Sequence, residues 1–230
     1  MVQYRRVLAI GDIHGNFSRL MSLYRKVQFD PEQDFLVLLG DYVDRGPKPG
    51  NSLRWAMEMS KQPNVVALRG NHEQMMLCYY ELGCPPSDIW LFNGGDKTKR
   101  DMDAWEQEDK TARRQALDFI WQRPLFHKMN VNGNDYVFCH AGIDPALPWE
   151  KQTDEQLLWI REKFYKNYRG DAYFVVGHTP VQLLEGSYER RTPIVFPNKI
   201  TIIDTGSFLP GGRITCLDVV SDTYWQSDDD

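Results

Sequence analysis

The chain has 230 residues, enough for one α/β domain or two small ones, and a net charge of −5 at neutral pH. The negative charge disfavours nucleic acid as a partner, and no apolar run approaches the roughly 18 residues of a membrane span. With 42% hydrophobic and 26% charged residues, and without a secretory pattern at the N-terminus, the sequence is typical of a globular protein that we expect in the cytoplasm.

The four cysteines are scattered along the chain. Cys78, Cys84, Cys139 and Cys216 form no C-x-x-C pair and no regular framework. In a chain long enough to build its own core, such cysteines most often act as small buried hydrophobic residues. We therefore expect neither disulfides nor a structural zinc site.

Five short apolar runs share one pattern and predict buried β-strands. Each is rich in Val, Leu, Ile or Phe, is nearly continuous, and stops at a glycine beside a polar residue. Such runs are typical of strands that are covered on both faces. The runs are RRVLAIG (5–11), DFLVLLG (34–40), NVVALRG (64–70), DYVFCHAG (135–142) and AYFVVGH (172–178).

Two amphipathic segments lie between the first three runs. Residues 16–29 carry a helical apolar face, and residues 51–60 follow the loop GPKPG. This alternation of strands and helices predicts βαβ units and a largely parallel sheet. Ligands of such sheets bind at the carboxyl ends of the strands, which is where the polar residues of these runs stand.

The middle of the chain has a helical pattern. Residues 71–82 predict one helix, which ends at Gly83 and the Pro85–Pro86 pair. A loop, FNGGDKTK (92–99), and a charged amphipathic helix near residues 102–122 follow. We interpret residues 83–125 as a helical cap or insertion.

The whole chain, residues 1–230, is predicted to form a single domain. From residue 172 onward, further short apolar runs predict a second sheet, which we expect to be mainly antiparallel. No internal repeat or low-complexity segment interrupts this organisation.

The end of the first run carries a candidate pair of metal ligands. In GDIHGN, Asp12 and His14 are two residues apart, so in an extended segment their side chains point to the same side. A converging carboxylate and imidazole are natural ligands for a divalent cation. Taken alone, this hexapeptide fits a turn aspartate and a surface histidine equally well.

The end of the second run carries an acidic and basic cluster. In GDYVDRG, Asp41 follows the glycine directly, and Asp44 and Arg45 lie just beyond. An Asx-type turn accounts for one aspartate but not for two acids and a base at one strand end.

Histidines recur at the remaining strand ends. RGNHE supplies Asn71 and His72, FCHAG supplies His140, and VVGHTP supplies His178. Four of the five histidines thus stand at or near a strand end, and only His127 does not, so chance placement explains the set poorly. Asn71 could also cap the helix that follows it.

The candidate ligands all offer nitrogen or oxygen donors. They are too many for one tetrahedral zinc ion, and they suit two metal ions bridged by a carboxylate, with Mn²⁺, Fe or Zn²⁺ favoured over Ca²⁺. Arg45 and Arg69 lie next to proposed ligands, and planar guanidinium groups bind phosphate oxygens bidentately. The six candidate ligands are Asp12, His14, Asp41, Asn71, His140 and His178.

These motifs together resemble a known family. GDIHGN, GDYVDRG and RGNHE, with the later HAG and GHTP…DTG, are similar to the signature of the phosphoprotein phosphatases among the calcineurin-like metallophosphoesterases. NHEQMM, LFNGGD and LLWIRE resemble most closely the small bacterial and bacteriophage-lambda type Ser/Thr protein phosphatases. The resemblance implies a four-layer α/β/β/α sandwich with two mixed sheets. It also implies hydrolysis of phosphomonoesters by direct attack of a metal-bridging hydroxide, with two divalent ions, Mn²⁺ being the first choice.

The resemblance also implies a role for each site residue. His72, paired with Asp44, would be the general acid, and Arg45, Arg69 and Arg161 would hold the phosphate, although Arg161 alone fits an ordinary surface arginine at a helix end. The first metal would be bound by Asp12 and His14, the second by Asn71, His140 and His178, and Asp41 would bridge them.

Two alternatives remain open. A symmetrical dinucleoside tetraphosphate hydrolase shares the metal motifs, but that family tends to lack an acidic residue at the position of Asp44. A catalytically inactive scaffold would usually have lost a ligand or the acid, and every expected position is filled. The expected partner is a phosphorylated protein or small phosphoester, with a monomer as the default state and no membrane.

Overall fold

The computed structural model describes residues 4–85, 88–184 and 189–229. Within them the chain forms two five-stranded sheets flanked by helices. The strands are β1 (Arg6–Ile10), β2 (Asp34–Leu38), β3 (Val65–Ala67), β4 (Phe126–Val131), β5 (Asn134–Cys139), β6 (Tyr173–Val176), β7 (Ile194–Phe196), β8 (Ile200–Ile202), β9 (Thr215–Asp218) and β10 (Thr223–Gln226). The helices are α1 (Phe17–Val27), α2 (Pro49–Met59), α3 (Asn71–Leu77), α4 (Asp96–Glu108), α5 (Ala112–Trp121), α6 (Asp154–Trp159), α7 (Glu162–Asn167) and α8 (Val181–Leu184).

The first sheet has the order β10-β9-β1-β2-β3, and the second has the order β4-β5-β6-β8-β7. The five predicted runs become β1, β2, β3, β5 and β6, and the parallel pairing of β1 with β2 and of β2 with β3 is confirmed. The expectation of a mainly antiparallel second sheet is wrong. β6 pairs in parallel with β5 and β8. β9 and β10 belong to the first sheet instead, where β9 pairs antiparallel with β1 and β10 pairs antiparallel with β9.

The cores lie in three layers because the strands present alternate side chains to opposite faces. In β1, Val7 and Ala9 pack between the two sheets, whereas Leu8 and Ile10 pack under the helices. A third cluster lies between the second sheet and α6 and α7, where Phe164 is fully buried. Burial of each Val, Leu or Phe side chain stabilises the fold by about 1.5–3 kcal/mol. The four-layer α/β/β/α sandwich and its two mixed sheets are thereby confirmed.

The predicted middle segment differs in detail from the expectation. The helix that begins at Asn71 becomes π-helical over Cys78–Leu82 and ends at Gly83, with Pro86 outside the described residues. The expected loop is a π-helical turn, Leu91–Gly95, that runs directly into α4.

The single helix expected near residues 102–122 is two helices, α4 and α5. The break occurs at Asp109, which is extended and whose carboxylate accepts the backbone N–H of Thr111 at 2.8 Å. Met102 of α4 and Ile120 of α5 belong to the same core as Ala56 of α2, so the segment packs against the first sheet's helix layer.

The expectation about disulfides is wrong at one place. Cys78 and Cys84 form a disulfide, with their Cα atoms 5.0 Å apart, because Gly83 adopts a left-handed conformation that turns the chain back on the π-helical turn. Cys139 and Cys216 are free and buried, as expected of small hydrophobic residues. Among the described residues, no helix has the length and apolar character needed to cross a bilayer.

Candidate active site

The predicted ligands converge because they follow the carboxyl ends of strands in both sheets. Each of them is at most 5% exposed, which is far below the exposure of ordinary polar side chains. Asp12 and His14 follow β1, Asp41 follows β2, Asn71 follows β3, His140 follows β5 and His178 follows β6.

The backbone at these strand ends is strained. Of the nine non-glycine residues with positive φ in the described chain, five stand at this site, where φ lies between 47° and 70°. A left-handed conformation at such residues costs about 1–3 kcal/mol each and is retained where the surrounding structure enforces it. The five residues are His14, Asp41, Asp44, Arg45 and His178.

Two glycines let the backbone approach the carboxylates. A Cβ atom on Gly177 would overlap the Oδ1 atom of Asp12, and one on Gly70 would overlap the Oδ1 atom of Asp41. His178 follows Gly177 directly, and its backbone N–H donates to the Asp12 carboxylate at 3.1 Å. The glycines therefore fix where the two carboxylates lie.

We expect Gly177→Ala to displace Asp12 and to weaken Mn²⁺ binding about 10–100-fold, the range typical of changes just outside a metal site. Titration calorimetry with the purified protein measures this affinity. Gly133→Ala is the control, because a Cβ atom there meets nothing within 4 Å, and Gly133, unlike Gly177, has a positive φ of 85° that makes any side chain strained. That control should lower stability by about 1–2 kcal/mol and leave the metal affinity unchanged. Equal affinities in the two variants would contradict the role of Gly177.

Asp41 occupies the centre of the site. Its Oδ1 atom lies 3.5 Å from Nε2 of His140, and its Oδ2 atom lies 3.5 Å from Nε2 of His14. Two groups of potential ligand atoms, each within 4.8 Å, share this carboxylate: Asp12 and His140 complete one, His14 and His72 the other. One aspartate thus presents one oxygen to each group.

Asn71 joins the two later histidines. Its Oδ1 atom lies 2.7 Å from Nε2 of His140 and 3.0 Å from Nδ1 of His178. The other ring nitrogen of each histidine faces a backbone carbonyl oxygen, at 3.0 Å from Leu39 and 3.3 Å from Trp159. Each neutral ring has one N–H for two oxygens that only accept. With that N–H on the backbone carbonyl, the other nitrogen turns its lone pair toward the Asn71 oxygen, an arrangement that a cation between them would stabilise.

His14 follows the same pattern. Its Nδ1 atom lies 3.2 Å from the carbonyl oxygen of Val43, which leaves the Nε2 lone pair facing Asp41. Burial lowers the pKa of His14, His140 and His178, so all three rings are neutral. Neutral imidazoles with the second N–H bonded to a backbone carbonyl are the usual form of metal-binding histidines.

A further buried carboxylate, Asp204, belongs to the site and was missed in the sequence. It follows β8 in the DTG motif, so its position after a strand was the available signal. Its Oδ2 atom is buried without a hydrogen-bond partner among the described residues, and burial raises its pKa to about 6. Burial, together with the charges of Asp204 and Asp41, raises the pKa of Asp12. Converging acceptor atoms with few donors fit divalent cations, which would neutralise them.

His72 differs from the other histidines at the site. Its Nδ1–H donates to the Asp44 carboxylate at 2.6 Å, whereas the other rings bond backbone carbonyls. Burial lowers the pKa of His72, but the Asp41 and Asp44 carboxylates outweigh it and the net shift is upward. The ring is packed edge-on against His14, with centroids 4.6 Å apart. His72 is therefore the histidine best suited to carry a proton.

The three predicted arginines lie in different surroundings. Arg45 reaches His14, with Nη1 at 3.3 Å from Nε2, and its guanidinium carbon lies 3.9 Å from the Phe208 ring centroid. Arg161 donates to Thr179 Oγ1 at 3.0 Å, one residue beyond His178.

Arg69 points to a different partner. It pairs with the exposed carboxylate of Asp154 at 3.3 Å, and its Nε–H is buried without a hydrogen-bond partner among the described residues. This unsatisfied N–H could donate a hydrogen bond to a bound anion.

Glu73 was also missed as a part of the site. Its Oε2 atom accepts the backbone N–H groups of Asp41 and Gly70, at 2.8 and 2.9 Å. Its Oε1 atom accepts those of Tyr42 and Val43, at 2.8 and 3.3 Å. Burial raises the pKa of this fully buried side chain, while the N–H groups of Asp41 and Gly70 act in the opposite direction and favour the ionised form. Glu73 therefore fixes the turn that presents Asp41, although the sequence offers only its adjacency to Asn71 and His72.

Comparison with known proteins gives one consistent result. Residues 5–206 match the calcineurin-like phosphoesterase family. The chain is 35% identical to serine/threonine-protein phosphatase 1 of Salmonella typhimurium, over 92% of this chain and 91% of that protein. It is 32% identical to a symmetrical bis(5'-nucleosyl)-tetraphosphatase of Methylobacillus flagellatus, over 72% of this chain and 51% of that protein. A cold-active protein-tyrosine phosphatase of Shewanella has the same fold, with a TM-score of 0.57 and 16% sequence identity over 98% of this chain and 81% of that one.

Proposed function

Because this chain belongs to the calcineurin-like phosphoesterase family, we propose that it is a metal-dependent protein phosphatase that hydrolyses phosphoserine and phosphothreonine. The observation that carries this proposal is the division among the buried histidines. Three rings are neutral and bonded to backbone carbonyls, and His72 alone is bonded to a carboxylate. This division supports three ligands and one acid. The similarity to the Salmonella phosphatase over nearly the full length of both chains supports the substrate class.

The donor set supports two divalent cations, with Mn²⁺ as the expected metal, since it accepts both imidazole nitrogen and carboxylate oxygen. Asp12 and His14 would hold one ion, Asn71, His140 and His178 would hold the other, and Asp41 would contact both. When bound, the ions would activate a water as nucleophile and neutralise charge on the phosphoryl group.

The residues around the cations have separate tasks. Arg45, beside His14, and Arg161, beside Thr179, would bind phosphate oxygens, and Arg69 would supply its unsatisfied N–H. His72 would donate a proton to the leaving oxygen of serine or threonine, which is a poor leaving group without one. Asp44 would keep His72 protonated and oriented. The expected setting is the cytoplasm.

A substrate panel tests this proposal. We expect Mn²⁺-dependent release of phosphate from phosphoserine and phosphothreonine peptides, with kcat/KM at least tenfold above that for diadenosine tetraphosphate. The second candidate is a symmetrical dinucleoside tetraphosphate hydrolase, and the identity to the Methylobacillus tetraphosphatase favours it. Preferential cleavage of diadenosine tetraphosphate would establish that candidate. A lack of hydrolysis of every phosphoester with Mn²⁺ present would contradict both.

A further inference from the structure

The segment 88–98, which we call the brace, bonds to Asp44 through two buried side chains. The indole Nε1–H of Trp90 donates to Asp44 Oδ2 at 2.9 Å. The hydroxyl of Thr98 donates to Asp44 Oδ1 at 2.5 Å and accepts the Asp44 backbone N–H at 2.9 Å. Trp90, Thr98 and Asp44 are each 0% exposed, so water does not compete for these bonds.

The brace also holds the residue that follows Asp44. The backbone N–H of Arg45 donates to the Gly94 carbonyl oxygen at 3.1 Å, and Lys97 Nζ donates to the Arg45 carbonyl oxygen at 2.6 Å. Asp44 and Arg45 both have left-handed backbones, with φ of 70° and 62°. Two consecutive strained residues need such external bonds to stay in place.

The bonds to Asp44 act on His72 through the shared carboxylate. Oδ2 accepts from both His72 and Trp90, while Oδ1 accepts from Thr98. Donors on both oxygens fix the plane of the carboxylate, and that plane sets the direction of the His72 ring. A helical segment that only filled the core would need no polar side chains at these two positions.

We propose that Trp90 and Thr98 are positioning residues for hydrolysis, which aim the His72 ring at the leaving oxygen by holding the Asp44 carboxylate from both sides. The proposal rests on the proposed role of His72 as the acid. The brace, which begins 44 residues after Asp44 in the sequence, would thereby take part in the reaction through its contacts with Asp44.

The test compares Thr98→Val, Thr98→Ser and Trp90→Phe with the unchanged protein, all loaded with Mn²⁺. For an alkyl phosphate such as phosphoserine peptide we expect kcat to fall about tenfold in Thr98→Val and Trp90→Phe, with KM unchanged. For p-nitrophenyl phosphate, whose leaving group barely needs a proton, the fall should be at most about twofold. Thr98→Ser keeps the hydroxyl and should retain kcat on both substrates.

Controls separate positioning from a general structural role. Trp121→Phe is the control for Trp90→Phe, because Trp121 lies on α5 and is 56% exposed. This variant should leave kcat unchanged for both substrates. Metal content and thermal unfolding of each variant show whether it is folded and loaded. If Thr98→Val does not fold, the comparison of Trp90→Phe with Trp121→Phe decides the result.

Two outcomes overturn the proposal: equal loss on the two substrates, or no loss on either. His72→Asn, assayed in parallel, shows which idea has failed. If kcat for the alkyl phosphate falls selectively in His72→Asn but not in Thr98→Val and Trp90→Phe, the acid role of His72 is supported and the positioning role is wrong. If His72→Asn loses both substrates equally, the acid role itself is wrong.

Discussion

His72→Asn should lower kcat for phosphoserine peptides about 10²–10⁴-fold, the usual contribution of a general acid. The loss for p-nitrophenyl phosphate should be much smaller, because nitrophenolate leaves without a proton. The reason is the position of His72, whose Nδ1–H bonds Asp44 while its Nε2 atom lies 4.0 Å from Oδ2 of Asp41, one of the candidate metal ligands. Steady-state kinetics on the two substrates at equal metal content measure the difference.

His127→Asn is the matched control for that variant. His127 lies on β4, where its ring stacks on Phe35 with centroids 5.3 Å apart, and burial lowers its pKa. We expect no difference between the two substrates in this control. Loss of bound metal in His72→Asn would show that His72 is a ligand, and an equal loss of kcat on both substrates would contradict its role as the acid.

The strand ends explain why so much of the candidate site could be predicted from the sequence. A buried strand that stops at a polar residue is a local signal, and parallel strands bring their carboxyl ends to one edge. Asp12, Asp41 and Asn71 follow β1, β2 and β3, which are neighbours in one sheet. His140 and His178 follow β5 and β6, neighbours in the other. Family membership and the fold class were therefore predictable from short motifs.

Contacts between distant segments were not predictable in the same way. Trp90 bonds Asp44 across 46 residues, and neither residue's local pattern indicates the other. The apolar run of β9 shows that it is a strand, but its partner β1 lies about 200 residues earlier and nothing in the run specifies it. The expectation of a mainly antiparallel second sheet was wrong because the sequence of a strand does not specify its partners.

Glu73→Gln should weaken Mn²⁺ binding about 100-fold and lower the free energy of unfolding by about 2–5 kcal/mol, because it leaves buried backbone N–H groups unsatisfied. The carboxylate accepts from four backbone N–H groups, two on each oxygen. An amide can satisfy only one pair, and its NH₂ group would then face the other two donors. Urea unfolding and calorimetric titration of Mn²⁺ measure the two effects.

Glu108→Gln is the control for this exchange, since Glu108 is exposed at the end of α4 and should change neither quantity. The two measurements together identify what Glu73 does. Asp41 has φ of 52°, a conformation that the bonds from its turn to Glu73 hold in place. If Glu73 fixes that turn, the metal affinity falls even where the variant is fully folded. Lower stability with unchanged metal affinity would mean that Glu73 serves the fold alone, and that the ligand cluster keeps Asp41 in position without it.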